Sequence, residues 1–194
     1  MNYYGGKDLA DAFRTVRKNT IQIAEDIPED KYDFKATPDT RSVAQTLAHL
    51  AVAPMFQMHV HTTKVTDMKT VNFGELFQKF SAAENQPRTK AEVIAYLQEE
   101  GDKFASFLET VDEAFLSERV SLPPGAQPPD KTRFEMLLGA KEHEMHHRGQ
   151  LMLVERMLGQ VPHLTRQMQE RMARMQAAMQ QQAAAGQPAA AGQA

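Results

Sequence analysis

The chain has no cysteine among its 194 residues. That excludes disulfides, thiolate metal ligands and a cysteine nucleophile, so any bound metal must rest on His, Asp or Glu. An excess of positive charge is missing too. The net charge is -3, which argues against a nucleic-acid binder that neutralises phosphates with a basic surface. No run of roughly 18 apolar residues is present to span a bilayer. The N-terminal MNYYGGKDLADAF lacks a basic stretch followed by an apolar one, so no signal peptide is expected and the cytoplasm is the default location. What is present is ordinary for a globular protein: 42% hydrophobic and 24% charged residues, on a chain long enough for one domain with a real core.

Glycine and proline fall in a few clusters and leave long segments free of both, the pattern of helices joined by loops. A first helix is predicted from about Lys7 to about Asp26, with Leu9, Phe13, Val16, Ile21 and Ile23 as its apolar residues and Pro28 as its stop. The segment EDIPEDKYDFKATPDT reads as a loop. Asp39, Thr40 or Ser42 can cap a second helix running from about Arg41 into the mid-sixties. Pro54 lies inside that helix and is expected to disturb it one turn earlier, near Leu50. A short helical piece around Phe73 to Phe80 follows. Thr89 and Glu92 form a capping-box pattern for a helix from Lys90 to Leu108. After the proline-rich SLPPGAQPPD, a further helix runs from about Lys131 to Leu158, ended by Gly159 and Pro162. VSL is too short to found a sheet.

These elements predict an all-α fold: an antiparallel four-helix bundle over residues 1–162. A Met- and Gln-rich helical extension is expected over 163–182 and a disordered, low-complexity tail over 183–194. The methionines read more simply as a helix packing on the bundle or a partner than as a copper site, which would need tighter, repeated spacing.

Three of the seven histidines fall within HEMHHRGQL. His143 and His147, four apart, share one helix face, and Met136, Ala140, Leu151, Val154 and Leu158 lie near that face. The pair therefore interrupts an apolar stripe. Imidazoles there need partners for both ring nitrogens, which a metal plus an acceptor for the outer nitrogen would supply. Hydrogen bonds to backbone or carboxylates would do so as well, and helix geometry leaves both readings open. His49, in LAHLAVAP, shares its face with Ala53, Phe56 and Val60 and is the best candidate for a third ligand from another helix. His146 is rotated aside and reads as a rim or supporting residue. Glu142 and Glu144 read as surface charges, although His143 to His147 formally matches HExxH, in which Glu144 would be the general base. His59 and His61 read as surface or rim residues and His163 as exposed.

RSVAQTLAHL on the second helix, AKEHEMHHRGQL on the last, and the lead-in DKYDFKATPDTRSV together resemble the DinB-like superfamily over roughly residues 7 to 160. The resemblance implies a four-helix bundle whose metal site takes one histidine from the second helix and an HxxxH pair from the last. In this chain these are His49, His143 and His147. It further implies zinc or nickel as the metal, a dimer, and for some members transferase or isomerase activity with a low-molecular-weight thiol. It also suggests supporting roles for Arg148 and Gln150 beside the ligands, and close helix packing at Gly149.

Three imidazoles on a divalent ion leave a coordination position open, as in catalytic sites. Such a site suits an activated water or a thiol held as thiolate. Both fit the same three ligands, and it is the resemblance that makes a metal-dependent thiol transferase acting on a small molecule the expected function. A metal-dependent hydrolase, or a non-catalytic metal-binding or small-molecule-binding stress protein, is the alternative.

Overall fold

The computed structural model describes residues 4–185. It is built from α1 (Gly6–Asp26), α2 (Val43–Thr62), α3 (Phe73–Glu84), α4 (Lys90–Thr110), α5 (Glu113–Ser117), β1 (Arg119–Ser121), β2 (Asp130–Thr132), α6 (Arg133–Met157) and α7 (His163–Ala185). Helix starts follow local chemistry. Of the candidate caps for α2, Ser42 takes the position and exchanges hydrogen bonds with Gln45, while Thr89–Glu92 and Thr132–Glu135 do the same for α4 and α6. The segment VSL does enter a sheet, a small one: Arg119–Ser121 pairs antiparallel with Asp130–Thr132. The turn-rich segment between them brings the two short strands together, a pairing that three residues of pattern cannot signal.

The four long helices form a bundle in which α1 and α2 each pack on both α4 and α6. One apolar cluster joins the end of α1 (Ile23, Ala24), the start of α2 (Val43, Leu47), the start of α4 (Val93, Leu97) and the end of α6 (Leu151). The pairs α1/α4 and α2/α6 are therefore antiparallel, while α2/α4 and α1/α6 run parallel. The extra helix α3 makes this possible, since it returns the chain to the end of the bundle where α2 began. At the other end, Leu9 and Phe13 pack on Phe104, Leu108, Leu116 and Leu137.

One side chain ties the four long helices together. Arg17 on α1 donates from Nε and Nη2 to both carboxylate oxygens of Glu144 on α6, at 2.8 and 2.9 Å. Its Nη1 reaches the Leu97 carbonyl of α4 at 2.6 Å, and Nη2 reaches the Leu50 carbonyl of α2 at 2.8 Å. Leu50 lies four residues before Pro54, which has no N–H to give it. The helix is continuous through the proline, and the arginine supplies the missing donor. Gly101 makes the room, since a Cβ there would stand 3.0 Å from Arg17 Cγ.

The structure corrects several expectations about polar residues. Glu144 is buried rather than a surface charge. His61 is also buried, bonded to Gln57 at 3.1 Å and to Arg133 at 3.2 Å. Burial first, and the Arg133 charge second, push it down to about 4. His163 is buried beside Asn19 rather than exposed, because Pro162 turns the chain back onto α1. Gly149 makes no close approach, as a Cβ there would meet nothing within 4 Å.

The first turn of α7 is fixed by Arg166–Asp26 and Arg156–Thr165 contacts, and beyond it the helix is exposed as far as its side chains are described. It runs through Ala185, and the rest of the tail expected over 183–194 lies outside the described residues. Among the described residues no helix is long and apolar enough to cross a membrane.

Candidate metal centre

His49 comes from the first half of α2, and His143 and His147 from successive turns of α6, across the antiparallel seam between those helices. All three are half-buried, and one nitrogen of each lies within 4.8 Å of the others. The ring centroids are 4.7 to 5.0 Å apart. His49 Nε2 and His143 Nε2 stand 3.1 Å apart. Two ligands at bond lengths of about 2.0–2.1 Å and a tetrahedral angle would stand about 3.3 Å apart, so the donor set fits one small divalent ion.

The outer nitrogens of two of the rings, His49 and His147, are engaged in ways that turn lone pairs inward. His49 Nδ1 is 2.9 Å from Glu84 Oε2, and a carboxylate can only accept there, so Nδ1 carries the proton and Nε2 is free. His147 Nδ1 donates likewise to Gln150 Oε1 at 2.7 Å, and the Gln150 amide donates to His146 Nε2 at 3.2 Å. Burial first, then the neighbouring imidazoles and the Arg41 charge, push His143 down to about 4. Burial also lowers His147, against the hydrogen bond to Gln150 that works to raise it. Neutral imidazoles are the form a metal needs.

Sequence reading did not find two of the residues that shape this site. Glu84, the last residue of α3, uses one oxygen for His49 and the other for Arg41 Nε at 2.6 Å. Burial works to raise its carboxyl, and the bonds from Arg41 and His49 outweigh that and hold it below the ordinary value. Nothing in the spacing between Glu84 and His49 signals their meeting, which depends on α3 folding back along α2. Arg41 stands just before the Ser42 cap and so outside α2, whereas sequence reading places it at the start of the helix.

Other expected participants lie elsewhere. Glu144 is turned aside from the histidine face of α6, into Arg17 on α1. Arg148 pairs with no carboxylate among the described residues, and its Nε is buried without a partner.

Two cavities each take one of the histidines into their lining, and both are lined by Arg41. The larger, about 550 Å³, is lined by His147, Gln150 and Arg41 with apolar walls that include Phe34, Val43, Val154 and Met157. The smaller, about 380 Å³, is lined by His49, Glu84 and Arg41 with Phe56, Phe77 and Phe80.

Comparison with solved structures returns the same architecture. YfiT from Bacillus subtilis, described as a probable metal-dependent hydrolase with an unusual four-helix bundle topology, is 16% identical with a TM-score of 0.61, over 80% of this chain and 88% of its own. The colibactin self-resistance protein ClbS, solved in complex with double-stranded DNA, is 18% identical with a TM-score of 0.60, over 80% of this chain and 98% of its own. The mycothiol-dependent maleylpyruvate isomerase is 13% identical with a TM-score of 0.57, over 75% of this chain but only 60% of its own. No curated protein matches the sequence. At these identities the likeness speaks for the fold. The kinship is carried by the sequence profile of the DinB superfamily, which matches residues 12–151 and so takes in α2 and α4 whole, most of α1 and α6, the three histidines and Glu84. The chain belongs to the DinB superfamily.

Proposed function

We propose that His49, His143 and His147 hold one divalent ion, zinc or nickel, and that the chain is a metal-dependent transferase joining a low-molecular-weight thiol to a small electrophile. The observation that carries this reading is the pair of cavities on either side of the histidines. A transferase needs room for two organic substrates at one centre, whereas a hydrolase needs one such pocket and water. A divalent ion with an open position supplies Lewis acidity and favours a bound thiol as its reactive thiolate. The protein's own residues orient the ligands, through Glu84 and Gln150, and enclose the site with apolar walls.

The hydrolase alternative draws support from the description of YfiT. It loses its HExxH form here, because both oxygens of Glu144 are taken by Arg17. ClbS was solved with DNA, and the proposal of a small-molecule partner for this chain rests on its own net charge of -3. A homodimer and a cytoplasmic location belong to the same proposal.

Elemental analysis of untagged protein tests the centre. About one divalent ion per chain is expected, lost in His49→Ala and His147→Ala, and a metal-free protein after reconstitution with zinc and nickel would overturn the reading. Thermal shift then separates the activities. Binding of a thiol to the folded metalloprotein raises Tm, while a hydrolase turns over esters or amides with no thiol present.

A further inference from the structure

Arg41 lines both cavities, and the metal reading gives it no part beyond its bond to Glu84. Its Nε is fixed by Glu84 at 2.6 Å, and Glu84 is itself fixed by His49 at 2.9 Å. Nη1 and Nη2 make no hydrogen bond among the described residues, and the side chain is 46% exposed. The guanidinium is thus held by one edge, with the rest presented to the cavities.

We propose that Arg41 anchors an anionic group of the substrate, and that the larger cavity takes an organic acid with an extended apolar body. This rests on the reading of the three histidines as a metal centre, since it places the acid's reacting end beside them. A guanidinium pinned through Nε is oriented before the ligand arrives, so less freedom is lost on binding. Its free nitrogens suit the two oxygens of a carboxylate, or of a phosphate or sulfonate. The acidic residue among the cavity's lining, Asp39, is exposed and already accepts from Thr37 Oγ1 at 2.6 Å. Beyond Arg41 the walls are largely apolar, from Phe34 and Val43 to Leu153, Val154 and Met157. At about 550 Å³ the space falls within the ordinary range for a small-molecule site, roughly 300–1,000 Å³.

Saturated fatty acids from acetate to octanoate, with octanol as the uncharged control, are suitable probes for isothermal titration calorimetry. Octanoate is expected to bind at least about tenfold more tightly than octanol, as a hydrogen-bonded charge implies. Affinity should rise along the acid series by up to about fourfold per methylene as the apolar wall is covered. Arg41→Gln should remove the preference for octanoate over octanol, and Arg41→Lys should retain only part of it, since an ammonium keeps the charge but not the pinned two-nitrogen fork. Equal binding of octanol and octanoate, or an undiminished preference in Arg41→Gln, would overturn the anchor. An acid held by the metal alone would give the second of these results. Elemental analysis of each variant keeps the two readings apart. An Arg41-dependent preference in a protein without metal leaves the anchor standing and removes the metal centre. Full metal content with no Arg41 dependence does the reverse.

Discussion

Glu84 and His49 meet through a 2.9 Å hydrogen bond although 35 positions separate them in the chain. The carboxylate fixes the imidazole tautomer and ring orientation, and with its other oxygen it holds Arg41. Carboxylate support of this kind raises ligand basicity and commonly contributes about 10- to 100-fold to metal affinity. Glu84→Ala is therefore expected to weaken zinc or nickel binding by that order, read by competition with a chromophoric chelator. Glu84→Gln should lose less, since its amide oxygen still accepts from Nδ1. Affinity unchanged in both would mean that packing alone orients His49.

The Arg17–Glu144 pair lies deep between α1 and α6, with side chains only 5% and 2% exposed. Removing one member strands the other's charge in the core, at a cost of about 3–5 kcal/mol. Arg17→Met and Glu144→Gln should each lower urea stability by that order. The double variant Arg17→Met/Glu144→Leu should recover part of the loss, though not all, because the Leu50 carbonyl would still lack its donor. Stability unaffected by Glu144→Gln, with turnover abolished, would instead favour Glu144 as a base.

Glu155 is fully buried on α6, and neither carboxylate oxygen has a hydrogen-bond partner among the described residues. Burial first, then the charge of Asp26, raise its carboxyl from 4.5 to about 7, against Arg166 and Arg156, which lower it. The sign follows from proton binding. Below pH 4.5 both folded and unfolded chains hold the proton, and the group contributes no pH dependence. Between 4.5 and about 7 the folded state holds more proton than the unfolded, so stability falls as pH rises. Glu155→Gln should match the wild type in Tm near pH 4.5 and exceed it by a growing margin up to pH 8. A constant difference across that range would show that Glu155 does not titrate with folding.

Beyond its first turn, α7 presents Met168, Met172, Met175 and Met179 at 51 to 68% exposure. Side chains so exposed contribute little to the fold of a monomer, within about 0.5 kcal/mol. A chain ending at Gln167 is expected to keep its metal content and to shift in Tm by no more than about 2 °C. A larger drop that grows with the full-length protein's concentration would show the methionines covered by a second copy.

How much could be read in advance varied with the distance over which a pattern acts. The long helices, the cap at Thr89, the choice of Asp39, Thr40 or Ser42 as the cap of α2, and the HxxxH pair depend on neighbours a few residues away, and the local pattern carries that information. The interruption of an apolar stripe by His143 and His147 pointed to the seam with α2, where His49 lies. Glu84, Arg41 and the partner of Glu144 depend on how helices are arranged in space. Charge alone could not distinguish Glu144 from Glu142, because burial of a carboxylate becomes sensible only once Arg17 is known to face it. Pro54 was legible as a disturbance, but its remedy was not, since the donor comes from α1.

That remedy has a consequence for how the bundle assembles. The guanidinium of Arg17 finds its full set of acceptors only when α2, α4 and α6 are all docked around α1. A form with any one of the three detached leaves either a buried charge without its counterion or a donor without an acceptor, and in either case it is penalised. Partly assembled bundles are thereby depleted relative to the complete and the unfolded chain. Amide protons around residues 17, 50, 97 and 144 should exchange through one shared opening, so the histidines proposed as ligands on α2 and α6 are held in register until the whole bundle gives way.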